Sequence, residues 1–178
     1  MSGTIQLVTV GNAPRGLLRE LAQPIMATYK IQSLSGAPLS HPQYALNPPR
    51  KQFHATAMLR RLAVQLQPDQ LGVVGVCDVD LFTPDSEFVY GEADRESKTA
   101  VVSIFRLKGN EPPEIFVRRA QAEAVATVGQ LLGLSFCDEP HCAMFASRSP
   151  QDAERKGTAL CNDCRHELLR LTGAKPIP

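Results

Sequence analysis

Two pairs of cysteines near the C-terminal end constrain the fold of this chain more than any other feature. Cys137 and Cys142 are separated by four residues, Cys161 and Cys164 by two, and a short polar excursion joins the pairs. A segment of this length holds too little apolar material for a core of its own, so a metal staple is a physically sensible way to order it. Two thiolate hooks give zinc the soft tetrahedral shell it prefers, and a shell closed by four cysteines leaves no position for a substrate. The spacing therefore predicts one structural Zn2+ held by Cys137, Cys142, Cys161 and Cys164. Because the ligands are thiolates, binding is tied to folding. His141 and His166 lie beside the hooks as alternative ligands, and four unconnected buried or redox-active cysteines are the competing reading. Cys77 adjoins an apolar run and reads as a small core residue.

Upstream of the cysteines, strand and helix patterns alternate. Residues 4–10 are β-branched and alternating, which predicts a strand, and Gly11-Asn12-Ala13-Pro14 turns the chain. Residues 16–29 place Leu17, Leu18, Leu21, Ile25 and Met26 at helical spacing, and residues 52–67 do the same with Phe53, Ala57, Leu59, Leu62 and Leu66. Between these, residues 33–50 are rich in Pro, Ser and Gly and predict a long irregular loop. The apolar run 71–76 suits a buried central strand. Residues 88–90 and 100–105 read as two more strands, and Pro112 and Pro113 open a helix running to about Leu134. A last helix spans about 162–171. This order predicts an α/β fold with helices packed on a partly parallel sheet. Residues 1–136 form the α/β domain in this reading, and residues 137–178 the zinc-binding region.

Composition excludes some functions. The chain has 178 residues, 43% hydrophobic and 21% charged, with a formal net charge of +1. That balance exerts no strong pull toward nucleic acid or an anionic membrane. In the tail, Arg155, Lys156, Arg165, Arg170 and Lys175 are offset by Asp152, Glu154, Asp163 and Glu167, so no basic face for nucleic acid stands out. No apolar run is long enough to span a bilayer, and the N-terminus has no export pattern. The expectation is a cytoplasmic protein, where cysteines stay reduced and bind metal.

The helix ending near Leu134 carries a second pattern. Laid on the extended zinc-protease motif H-E-x-x-H-x-x-G-x-x-H, Gly133 falls on the glycine. Ala126, Gln130 and Phe136 then hold the three histidine positions, and Thr127 the glutamate position. A hydrolytic zinc needs protein ligands, one open position for water and a base to take its proton. A methyl group and a phenyl ring cannot coordinate, a neutral amide oxygen is a poor zinc ligand, and threonine is no carboxylate base. If this helix was never catalytic, Val125, Val128, Leu131 and Leu132 simply form its core face.

Further segments carry a family resemblance. They are Arg50-Lys51-Gln52-Phe53-His54-Ala55, the 71–76 run followed by Asp78-Val79-Asp80-Leu81-Phe82-Thr83-Pro84, then Phe88-Val89-Tyr90-Gly91-Glu92-Ala93, Val101-Val102-Ser103-Ile104-Phe105-Arg106-Leu107 and Glu123-Ala124-Val125. With the cysteines and Met144, these resemble in order the archaemetzincins, zinc metallopeptidases of the metzincin group. The resemblance covers essentially the whole chain. It implies a metzincin-like (zincin) α/β sandwich with a mixed twisted sheet, helices packed on it and a small C-terminal four-cysteine zinc-binding subdomain. Met144 would supply the Met-turn, the hydrophobic floor of the site, and the four cysteines the family's structural zinc. No catalytic residue carries over at Ala126, Thr127, Gln130 or Phe136. The resulting expectation is a zinc-binding metallopeptidase homologue without proteolytic activity. Its edge strand over residues 88–93 would pair with an extended peptide or a protein terminus. The alternative is a hydrolase of residual or altered activity, its metal rebuilt on His54, His41, Asp78 or Asp80.

Overall fold

The computed structural model describes residues 3–173, which fold into two mixed β-sheets and five α-helices. Strands β1 (Thr4–Val10), β2 (Gln32–Ser35), β5 (Gln70–Cys77), β8 (Gly91–Asp94) and β9 (Thr99–Ser103) form the larger sheet in the order β2-β1-β5-β9-β8. The first four positions are parallel, and β8 closes the sheet as an antiparallel edge, with Glu92 opposite Val101. Strands β3 (Leu46–Asn47), β4 (Gln52–His54), β6 (Leu81–Thr83) and β7 (Ser86–Val89) form the smaller sheet in that order.

The centre of the larger sheet is buried on both faces, which accounts for the nearly continuous apolar run in β5. Ile5 and Leu7 of β1 and Val74 and Val76 of β5 face one core with helix α1 (Leu17–Tyr29) and helix α3 (Pro113–Leu132). Val8, Val10, Val73 and Cys77 face the opposite core with helix α2 (Ala55–Ala63). The period of two along each strand separates these sets. Cys77 is fully buried in that second core, as its position beside the apolar run predicts. Cys142, Ala143, Met144, Ala153, Leu160 and Cys164 share one core cluster with α1 and α3. This explains why α3 is buried on nearly every side: the sheet covers one face and the cysteine-bearing region another.

Four expectations change. The helix predicted from Gln52 begins only at Ala55, because residues 52–54 pair with β6 as a strand. Gln52 Nε2 donates to Asp80 Oδ2 (3.1 Å) and to the Glu87 carbonyl (2.8 Å), and Phe53 N–H donates to the Asp80 carbonyl (2.8 Å). These partners hold the segment extended against its helical spacing. The predicted loop 33–50 contains two short strands, fixed by long-range bonds such as Gly36 N–H to the Leu7 carbonyl (2.8 Å). Residues 88–93 are not one strand. Phe88 and Val89 end β7, Tyr90 makes the corner, and Gly91 begins β8 in the other sheet. The strand predicted to Phe105 ends at Ser103, and residues 105–107 form a 3₁₀ turn.

Helix α4 (Pro150–Lys156) lies outside the expected elements, and helix α5 (Asn162–Thr172) falls where the last helix was predicted. Ser149 caps α4, its Oγ accepting from Asp152 N–H at 3.2 Å. A serine followed by proline and aspartate is a recognisable helix start. None of the described helices is long and apolar enough to cross a membrane.

Candidate functional site

The four predicted cysteines converge. Their sulfurs all lie within 4.8 Å of one another, a group able to hold a metal ion, and Cys137 Sγ is 3.8 Å from Cys161 Sγ. A zinc tetrahedron with bonds of about 2.3 Å has edges of about 3.8 Å, so the spacing fits zinc. Two local structures build it. The first is the turn through Cys137 and Cys142, held by Cys137 N–H on the Met144 carbonyl (3.0 Å) and Cys142 N–H on the Glu139 carbonyl (3.0 Å). The second is the start of α5, where Cys161 is the N-cap and its sulfur accepts from Cys164 N–H at 3.5 Å.

Further amides point at sulfur: Glu139 N–H on Cys137 (3.4 Å), and both Met144 N–H (3.5 Å) and Cys161 N–H (3.3 Å) on Cys142. The Cys164 amide at the helix start holds the Cys161 thiol below its ordinary pKa, whereas burial pushes Cys137 and Cys164 up. Four thiolates this close need a cation to be tolerated together. His141 and His166 are exposed and stand outside the group.

Met144 is fully buried beneath α3. Tyr29 Oη donates to the Val125 carbonyl at 2.7 Å and lies 3.9 Å from Met144 Sδ. Burial raises the Tyr29 pKa well above its ordinary value, so the hydroxyl stays a donor. Gly129 is where the helix admits both groups: a Cβ there would overlap Met144 Sδ and lie 2.6 Å from Tyr29 Oη. Gly129→Ala is expected to cost about 1–3 kcal/mol through overpacking, despite alanine's better helix propensity. Urea unfolding measures it, and a stabilised variant would show that the floor under α3 is loose.

Above that floor opens a cleft of about 390 Å3, bounded by residues 86–91, one face of α3, Phe136 and residues 146–148. The four positions aligned with the zinc-protease motif, Ala126, Thr127, Gln130 and Phe136, line it. Ala126 is buried, as is Thr127, whose Oγ1 donates to the Glu123 carbonyl at 2.8 Å. A Cβ on Gly91 would collide with that hydroxyl, so glycine brings β8 directly against α3. Phe136 is 61% exposed, so its ring leaves the cleft unfilled.

The cleft also holds groups that the motif reading missed. Glu123 lines it and forms a buried ion pair with Lys156, whose Nζ lies 3.0 Å from Oε1 and also donates to the Phe145 carbonyl at 3.0 Å. Glu123 is the one charged residue in the Ala- and Val-rich stretch 120–128, which is a sequence signal for it, but nothing local points to Lys156. Tyr90 is buried at the corner between the sheets. Burial, reinforced by the negative charge of Glu123, pushes its pKa up to about 12.

The residues considered for a rebuilt metal site do not assemble. Asp80 is clamped by Arg106 Nε (2.6 Å) and Nη2 (2.8 Å), and Asp78 pairs with Lys108. His54 lies in β4, not in a helix, with its ring against Phe82 at 4.2 Å, and His41 meets the Phe53 ring at 5.5 Å. None of them lines the cleft. Among the described residues, the four cysteines are the one group of three or more His, Cys, Asp or Glu side chains placed to hold an ion.

Known proteins resemble this chain in sequence and fold. Residues 43–170 match the profile of Peptidase family M54. The archaemetzincin of Thermococcus kodakarensis is 31% identical over 177 residues, covering 93% of this chain and 95% of that protein. The crystal structure of the archaemetzincin from Methanopyrus kandleri superposes with a TM-score of 0.84 at 25% identity, covering 97% of each chain. A zinc-dependent peptidase from Methanocorpusculum labreanum superposes with a TM-score of 0.83 at 25% identity, covering 92% of this chain and 99% of that one. With profile, relatives and fold in agreement over most of its length, the chain belongs to peptidase family M54, the family of the archaemetzincins.

Proposed function

We propose that this protein binds one structural zinc through Cys137, Cys142, Cys161 and Cys164, does not hydrolyse peptides, and uses its cleft to hold an extended peptide or chain terminus. The observation that carries this reading is the composition of the cleft. Ala126, Thr127, Gln130 and Phe136 line it together, and this set offers no imidazole and no free carboxylate base. These residues do not fit a catalytic zinc. The donor chemistry of the four sulfurs, by contrast, fits a closed structural site.

Peptide binding is supported by two strand edges. Among the described residues, β8 pairs only with β9 and β7 only with β6, and β7 and the Gly91 end of β8 border the cleft. An added strand could satisfy either edge with main-chain hydrogen bonds. A reducing compartment such as the cytoplasm suits thiols committed to a metal.

Native mass spectrometry tests the metal reading, with one zinc per chain as the expected stoichiometry. A second tightly bound zinc, together with chelator-sensitive cleavage of a peptide library, would sink it.

A further inference from the structure

Within the peptide-binding reading, we infer that the cleft recognises the C-terminal carboxylate of an extended chain, with Arg148 as its cation and the Gln130 amide and Tyr90 hydroxyl as neutral donors. Charge accounting around the cleft selects this ligand. Besides Arg148, two charged residues line it, Glu123 and Glu87. Glu123 is already neutralised by Lys156 at 3.0 Å, and both are buried, so neither offers a free charge. Glu87 is exposed on β7 at the rim.

Arg148 is the cation among the lining residues, whereas at the outer walls Arg106, over the Phe88 ring, is committed to Asp80 and Arg50 to the Ser86 and Glu87 carbonyls. The Arg148 side chain is exposed, and its guanidinium forms no ion pair or hydrogen bond among the described residues. Its main chain is anchored, the backbone N–H donating to Asp152 Oδ2 at 3.0 Å in the first turn of α4. A guanidinium tethered through its main chain and unpaired at its tip suits carboxylate recognition, for which its planar donor fork is shaped.

The neutral groups add to this. The Gln130 amide and the Tyr90 hydroxyl line the same cleft and have no partner within the protein among the described residues. The high pKa of Tyr90 keeps its hydroxyl protonated at neutral pH, as a donor to an anion must be. An ammonium ligand would find one unpaired carboxylate, Glu87, and would face Arg148. A volume of about 390 Å3 accommodates a few residues, which suits a chain end. Apolar walls from Phe88, Val89 and Ala146 would then take the last side chains.

The test uses the full-length zinc-loaded protein and four pools of random hexapeptides: unmodified, C-terminally amidated, N-terminally acetylated, and amidated with an added internal glutamate. Binding is read by competition against a fluorescent member of the unmodified pool. The expected result is about tenfold or greater weakening on amidation. Acetylation should leave binding unchanged, and the internal glutamate should not rescue the amidated pool. In Arg148→Gln the preference for the free carboxylate should collapse to within about twofold, with Arg148→Lys retaining part of it. The melting temperature of both variants should match that of the parent, since the side chain holds nothing in the fold.

Equal binding of acid and amide, survival of the preference in Arg148→Gln, or loss on acetylation overturns the carboxylate assignment and leaves peptide binding standing. Rescue by the internal glutamate reassigns the ligand to an acidic side chain and equally overturns it. If no pool binds, the peptide-binding reading fails and the carboxylate assignment falls with it.

Discussion

Cys142→Ser is expected to destabilise the protein by more than about 4 kcal/mol, and stripping the four-cysteine site with a strong chelator should lower the melting temperature comparably. Losses of this size belong to mutations that remove a metal or a buried network. Cys142 is fully buried and its sulfur accepts from two backbone amides, those of Met144 and Cys161. It therefore fastens the turn under the cleft to the start of α5. Apparent binding free energies of about 10–16 kcal/mol for structural zinc in small peptides set the upper scale. The effect should not stay local. Ala143 and Met144 follow Cys142 directly and pack in the core shared with α1 and α3, and Ala143 N–H bonds the Ala159 carbonyl at 2.8 Å. Loss of metal should therefore loosen Met144 beneath Gly129 and expose apolar surface. Thermal unfolding with and without chelator, followed by re-addition of zinc, measures this. Unchanged melting in both the chelated protein and Cys142→Ser would mean that packing alone orders the tail.

Legibility in the sequence followed the range of the forces involved. The cysteine group could be read because two short hooks encode most of its geometry in local spacing. The strand β1 could be read from its alternation, β5 from its nearly continuous apolar run, and the helix α3 from the prolines that open it. Segments whose conformation depends on a distant partner could not. Gln52 and Phe53 belong to a helical pattern by spacing, yet they are extended because Asp80 and Glu87 take their hydrogen bonds. The run 88–93 opens on β-prone Phe88-Val89-Tyr90, but it divides between two sheets, and Gly91 lies directly against Thr127 of α3. In the cleft, the motif register names Ala126, Thr127, Gln130 and Phe136, which line one surface. It could not indicate Tyr90, Arg148 or Lys156, which reach that region through tertiary packing.

Lys156 is where the second large effect is expected. Lys156→Met should cost about 3–5 kcal/mol, because it leaves the Glu123 carboxylate buried beside an apolar thioether. The ammonium and the carboxylate are both almost wholly shielded from water and lie 3.0 Å apart. Glu123 Oε1 has that contact and no aligned hydrogen bond among the described residues, so removing the cation strands it outright. Glu123→Leu strands the ammonium instead, although the Phe145 carbonyl at 3.0 Å still accepts from it. The glutamate substitution should therefore be the milder of the two single changes. The double variant Glu123→Leu/Lys156→Met should recover most of the loss, since replacing a buried pair by apolar groups of similar size is often neutral or stabilising. Urea unfolding of the four proteins gives the coupling energy directly. Single variants within about 0.5 kcal/mol of the parent would show that water reaches the pair and screens it. A full-sized coupling would instead identify the pair as a tie between α4 and α3. Lys156 would then hold Phe145, and with it the wall through residues 146–148 that carries Arg148, at a fixed height above the cleft floor.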